Sequence, residues 1–275
     1  METRRMCPHC RAFITTDDRV CPYCHEAVAP PQVDRRSSGP ILGGMIPHAG
    51  YLTILILLIN TGLYLATGVY SMKSGRGSIL DPDVQTLFQF GAKYGPAIAA
   101  GQWWRLVTAG FLHGGLLHIL MNSWVLFDLG AQVEELYGGA RMLVIYFVAN
   151  VVGFYLSALW RPGTPSVGAS AALFGMVGAM LALGFRYRGG MGDMVRSVYG
   201  RYLVYLLLFS LLPGVDMAAH LGGLAGGFGL AYVAGRPEYS RASVEQVWRI
   251  AAGVSIAATL YCFLKWYLWF SAVAQ

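Results

Sequence analysis

Beyond residue 48 the chain is a succession of apolar stretches too long and too poor in charge for a soluble core to cover. Seven can be placed, near residues 50–70, 112–132, 140–160, 168–187, 199–213, 216–235 and 247–270. A helix that crosses a bilayer needs about 20 such residues. The fifth and sixth are marginal alone, with only Pro213, Gly214 and Val215 between them. Charged residues make up 12% of the chain, half the roughly 25% of a soluble domain. Mean hydropathy is +0.50. Lipid offers no partner to an open backbone, so runs of this kind predict an all-α membrane protein.

The net charge of +6 could signal a nucleic-acid partner, but the arginines sit between apolar runs and form no patch. They read as topology signals, which leaves the lipid bilayer as the partner and excludes nucleic acid. Arg4, Arg5, Arg11, Arg19, Arg35 and Arg36 precede the first stretch. Arg141, then Arg186, Arg188, Arg196 and Arg201, then Arg236, Arg241 and Arg249 fall on the same side of the membrane. Lys73, Arg76, Lys93, Arg105, Arg161 and Lys265 fall on the other, most of them in one long loop. The bias predicts a multi-pass cell (plasma or inner) membrane protein with a cytoplasmic N-terminus. No apolar h-region opens the chain, so no signal peptide is read there. The long first connection, about 71–111, ends in Gln102-Trp103-Trp104-Arg105 and is expected to lie partly among the lipid headgroups.

Residues 1–26 differ in character: polar, with four of the five cysteines. Cys7-Pro-His-Cys10 and Cys21-Pro-Tyr-Cys24 are C-x-x-C turns ten residues apart. Two such turns bring four thiolates to the corners of a tetrahedron, the arrangement of structural zinc. His9 and His25 rank lower as ligands. A disulfide or redox pair is disfavoured by a cytoplasmic location. The expected organisation is a zinc ribbon at 1–26, a Pro/Gly-rich linker at 27–47 and a transmembrane unit at 48–275. Cys262, alone in the last stretch, reads as a buried apolar filler.

Polar side chains inside a membrane are costly and mark function by default. His113, His118 and Asn122 cluster at the start of the second stretch, His118 and Asn122 on one helical face. Gly168-Ala-Ser170-Ala171 begins the fourth, where a helix N-terminus presents free N–H groups. His220 sits near the start of the sixth. Ala219, Gly223, Gly227 and Ala231 recur every four residues, as do Ala171, Gly175 and Ala179. Such stripes let backbones pack closely. If the two stripes face each other, Ser170 and His220 meet at one depth, the minimum for a serine nucleophile and its base. His118, Asn122 and the Ser170 N–H are then placed to hold an oxyanion. No third acid is apparent; Asp128 lies deeper and on another face. Singly, a membrane Ser is more often a packing hydrogen-bonder and a membrane His a structural partner.

These motifs, Trp104-Arg105, His113-x4-His118-x3-Asn122, Gly168-x-Ser170 and Ala219-His220 running into Gly223 and Gly227, resemble the rhomboid intramembrane serine proteases over residues 48–275. The resemblance implies a six-helix bundle with a seventh, C-terminal transmembrane helix, preceded here by the four-cysteine zinc ribbon. It implies Ser170 as nucleophile, His220 as base, and His118 and Asn122 lining the oxyanion site. Phe174 would pack on the catalytic histidine, Glu134 would be a structural acid at the cytoplasmic end of the second helix, and Trp104 and Arg105 would anchor the interfacial loop. Catalysis would need no cofactor. Substrates would be single-pass or polytopic membrane proteins, cut near the outer interface. The family's G-x-S-G departs to Ala171, whose extra methyl adds bulk toward substrate or the oxyanion loop but stays small enough for close packing, so activity is expected, at most reduced. That departure is the sole support for an alternative, a catalytically silent protein that binds membrane helices. A proton-coupled transporter would instead predict inverted repeats and broken midplane helices, which the sequence lacks.

Overall fold

The computed structural model describes residues 4–7, 9–15, 18, 20–26, 28, 50–187, 189–235 and 242–273. The chain divides into two compact units, residues 1–46 and 47–275. The expected linker, 27–47, lies outside the described residues apart from Val28. The first unit contains β1 (Arg4–Met6) and β2 (Phe13–Thr15), paired antiparallel with Met6 opposite Phe13.

The described residues of the second unit are mainly helical. Its first helix is α1 (Tyr51–Lys73), followed by a long connection built of α2 (Val84–Gln89), α3 (Gly95–Ala99), α4 (Arg105–Thr108) and a 3-10 turn at Ala109–Phe111. Next, α5 (Leu116–Val125) runs through a π-helical turn, Leu126–Gly130, into α6 (Ala131–Tyr137) as one rod. Then come α7 (Gly139–Trp160), α8 (Ser170–Arg186), α9 (Gly190–Phe209), α10 (Met217–Ala234) and α11 (Ala242–Val273). Five helices, α1, the α5–α6 rod, α7, α10 and α11, are long and apolar enough to cross a membrane. At 17 residues α8 is shorter. It can be, because Ala171 to Met180 are all buried by neighbouring helices and need not match the lipid thickness.

Two segment boundaries differ from expectation. The fifth segment, placed at 199–213, is a helix over Gly190–Phe209. Its polar start is tolerated because Arg196 pairs with Asp193 and caps the Gly184 carbonyl at the end of α8. The seventh extends to Ala242–Val273 beyond the expected 247–270. Its first turn is fastened by Glu245, which takes a bidentate pair from the buried Arg141 of α7 at 2.8 Å for each contact.

The centre of the bundle is α7, α8 and α10 in backbone contact. A side chain at Gly223 would run into the Ala171 carbonyl, and one at Gly227 into the Gly175 carbonyl. A Cβ at Gly153 of α7 would lie 2.6 Å from the Ala219 carbonyl. The two small-residue stripes do face each other. Glu134 sits where α1 begins, accepting from the backbone N–H of Leu52 (3.2 Å) and Thr53 (3.0 Å) and from the Thr53 hydroxyl (2.9 Å). Its carboxylate meets the positive end of the α1 dipole and satisfies donors that a helix start leaves open.

Candidate active site

Ser170 opens α8 and His220 lies in the first turn of α10. The facing stripes bring His220 Nε2 to 2.8 Å from Ser170 Oγ. The ring of Phe174, one turn along α8, stacks on the imidazole at 4.2 Å between centroids and 14° between planes. Both Ser170's position and the ring plane of His220 are thus set by α8. On the far side of the ring, Nδ1 lies 2.6 Å from Ser210 Oγ, just past the end of α9.

Gly168 and His118 adjoin Ser170. Gly168 has φ +132°, a conformation open to little but glycine. A Cβ there would stand 2.7 Å from His118 Nε2 and 3.5 Å from Ser170 Oγ, so both atoms border the small space beside the Gly168 Cα. His118 Nδ1 accepts from the Gly114 N–H at 3.4 Å, so Nε2 carries the ring proton and is free to donate toward that space. Asn122 is 7% exposed and its Nδ2 has no partner among the described residues. His113 is fully buried, edge-on to His118 at 5.1 Å. Buried donors without partners are uncommon in folded proteins and mark a place where a further polar group fits.

The loops around Ser170 and His220 are tied together by a buried cation. Lys93, 0% exposed, donates to the Arg161 carbonyl (3.1 Å) and the Thr164 carbonyl (2.8 Å). Its backbone bridges Ser166 on the approach to Gly168. Asp216, 3.9 Å from Lys93 Nζ, caps α10 by accepting from the Ala219 N–H at 3.1 Å and also bonds Ser157. Burial lowers the Lys93 pKa from its ordinary value, and the Asp216 charge works against that. Burial would raise the Asp216 carboxyl, but hydrogen bonds from Ser157, Ser166 and Ala219 and the Lys93 charge hold it below the usual carboxylate range.

Trp104 and Arg105 act from inside the first connection rather than at its surface. Trp104 is 3% exposed, and it is Trp103, at 46%, that faces out. Arg105 is fully buried. It donates to the carbonyls of Phe88 (2.7 Å) and Ala92 (2.9 Å) and to Gln102 (2.7 Å), and lies over the rings of Phe88, Trp104 and Trp269. The pair, expected to anchor the first connection, packs inside it and attaches it to α11.

The family model for the Rhomboid domain matches residues 100–237, half of the chain. The chain belongs to the rhomboid family. It is 37% identical over 161 residues to Rhomboid protease GluP of Bacillus subtilis, covering 57% of this chain and 31% of that protein. It is 36% identical over 156 residues to Rhomboid-like protease 3 of Toxoplasma gondii, covering 54% and 59%. Rhomboid-like protease 2 of the same organism is 31% identical over 212 residues, covering 74% and 73%. The chain thus spans less than two thirds of the length of the first two. This rhomboid is a multi-pass membrane protein, and its protease-named relatives support a hydrolase acting within the membrane.

Within this rhomboid Ala171 follows Ser170 in the first turn of α8. Its methyl is fully buried among Ala109, Phe154 and Ala219 and is accommodated by Gly153. Ser210, Lys93 and Asp216 were not singled out from sequence. A membrane-buried Ser has many bland roles, and a loop Lys or Asp is ordinarily solvated, so neither carries a local signal; His220 for Ser210, Arg161 and Thr164 for Lys93 and Ser157 for Asp216 are 10 or more residues away.

In the first unit, the Sγ atoms of Cys7, Cys10, Cys21 and Cys24 lie within 4.8 Å of one another. Cys7 and Cys24 are 3.8 Å apart, Cys10 and Cys21 3.7 Å. A zinc tetrahedron with Zn–S bonds of about 2.3 Å has edges of about 3.8 Å, so the four sulfurs fit such an ion. Both turns share one design: the N–H of Arg11 returns to the Cys7 carbonyl and that of His25 to the Cys21 carbonyl, each at 2.9 Å. Arg11 and His25 also share a positive φ, 62° and 58°. His9 and His25 are exposed and outside the cluster. Cys262 is buried in the helical core, as expected of a filler.

Proposed function

We propose that the chain is an intramembrane serine endopeptidase that cleaves transmembrane segments of membrane proteins with Ser170 as nucleophile and His220 as general base. The observation that carries this reading is the 2.8 Å contact between Ser170 Oγ and His220 Nε2, with His118 and Gly168 beside Ser170. The Ser170 proton passes to His220 as Oγ attacks the scissile carbonyl. The oxyanion that forms is held by the Ser170 N–H, His118 Nε2–H and Asn122 Nδ2–H. His220 then returns its proton to the leaving amine. A preorganised donor of this kind is typically worth about 3–4 kcal/mol. Against the silent-binder alternative, the Ala171 methyl packs among Ala109, Phe154 and Ala219.

In this reading residues 1–26 are a zinc ribbon, 27–47 a linker and 48–275 the protease unit. The N-terminus is cytoplasmic and the site opens to the outer side. Arg141, Arg186 and Arg196 support that orientation, since they gather at the bundle end opposite Ser170. The test is cleavage of a model single-pass substrate in liposomes by the wild type beside Ser170→Ala and His220→Ala. Both variants are expected to be inactive; cleavage that survives Ser170→Ala overturns the proposal.

A further inference from the structure

We propose that Ser210 is a positioning residue that holds the His220 ring in the tautomer a general base requires. The inference rests on the Ser170–His220 reading above. Phe174 fixes the plane of the imidazole by stacking but does not decide which nitrogen carries the proton. Ser210 does. It is 4% exposed, with Oγ 2.8 Å from the Leu206 carbonyl and 2.6 Å from His220 Nδ1.

A hydroxyl has one proton and accepts through its lone pairs. If Ser210 donates to Leu206, its lone pair faces Nδ1 and the ring proton must sit there. Nε2 then presents a lone pair to the Ser170 hydroxyl, and all three contacts are hydrogen bonds at once. The opposite assignment has Ser210 donating to Nδ1 and Nε2–H donating to Ser170, which leaves the Leu206 contact without a proton. The arrangement with more bonds is the one that makes His220 a base toward Ser170. During attack the Ser170 proton moves to Nε2, the Oγ–C bond forms and the carbonyl pair moves to oxygen. Nδ1–H stays on Ser210, and Nε2–H goes to the amine as the C–N bond breaks.

No carboxylate among the described residues bonds this ring. Asp216 is engaged by Ser157, Lys93 and the Ala219 N–H. A neutral hydroxyl thus stands where an acid stands in a Ser-His-Asp arrangement. Because Ser210 belongs to the end of α9, the contact also links the seating of that helix to the protonation pattern on α10.

The test uses the full chain in micelles as wild type, Ser210→Ala, Ser210→Thr and Ser170→Ala. The readouts are fluorophosphonate labelling rate, kcat and KM on a model single-pass substrate, and 15N histidine NMR. Ser210→Ala is expected to lower labelling rate and kcat about 10-fold, the size of one net hydrogen bond, with KM unchanged. Ser210→Thr is expected to restore the rate. The wild-type spectrum is expected to show His220 protonated at Nδ1, and the Ser210→Ala spectrum a mixture. Wild-type rates in Ser210→Ala, equal losses in the Ala and Thr variants, or a wild-type ring protonated at Nε2 would each overturn the proposal. Cleavage by Ser170→Ala would sink the underlying nucleophile reading instead, and the tautomer remains readable without catalysis.

Discussion

Gly168→Ala tests the surroundings of Ser170 most directly. The backbone at φ +132° lies in a region essentially reserved for glycine, and holding an alanine there costs about 1–3 kcal/mol. The new methyl would also begin 2.7 Å from His118 Nε2, well inside van der Waals contact. Such overpacking typically costs about 1–3 kcal/mol. The histidine is a side chain and can turn aside, so part of this second cost is relieved, and a total of about 2–4 kcal/mol is expected. The relief has its own consequence: Nε2 leaves the position from which, in the proposed mechanism, it donates toward the oxyanion. Losing one such donor lowers kcat about 10²-fold or more. The assay is thermal unfolding in micelles together with kcat on a model substrate. Gly163→Ala serves as the control in the same loop, since nothing lies within 4 Å of a Cβ there. A Gly168→Ala protein that unfolds and cleaves like the wild type would refute the reasoning.

Three further outcomes are expected. Gly227→Val drives a side chain into the Gly175 carbonyl, backbone against backbone, and should destabilise by at least about 3 kcal/mol; Gly229→Ala, which meets nothing within 4 Å, should unfold with the wild type in the same denaturation series. Glu134→Ala removes three hydrogen bonds at the α1 start and should cost about 2–4 kcal/mol, with Glu134→Gln recovering part of it by thermal unfolding. Chelation, or Cys10→Ser, should release zinc detectable with a colorimetric indicator, while deletion of residues 1–26 leaves substrate cleavage at the wild-type rate; an inactive but correctly inserted truncation would refute the separation of the two units.

Much of the bundle is legible from sequence because membrane burial writes itself in long apolar runs, and the stripes around Gly223 and Gly175 announce which helices meet. The C-x-x-C spacing likewise encodes its own geometry, since each turn closes within five residues of its first cysteine. Other features are written nowhere locally. The start of α9 carries Asp193 and Arg196, so hydropathy trims it; only the packing of Arg196 against Gly184 explains a helix there. Trp104-Arg105 reads as an interfacial pair until Phe88, Ala92 and Trp269, distant in sequence, are seen to enclose it. The fit of Ala171 depends on Gly153, on another helix.

In the proposed reading, the backbone contacts between α8 and α10 have a consequence for how a catalyst of this kind can vary. No rotamer stands between the strands of atoms that carry Ser170 and His220, so side-chain repacking and changes in lipid thickness have no lever on their separation. Reactive geometry is in effect cast into the main chain. Variation in what is cut then falls to surfaces whose shape side chains do control: the outer face of α5, the lipid-exposed face of α9 and the first connection, which Arg105 and Trp269 fasten to α11. The seventh helix is on this account a strut for the connection rather than a part of the chemistry, and it separates the tuning of access from the making and breaking of bonds.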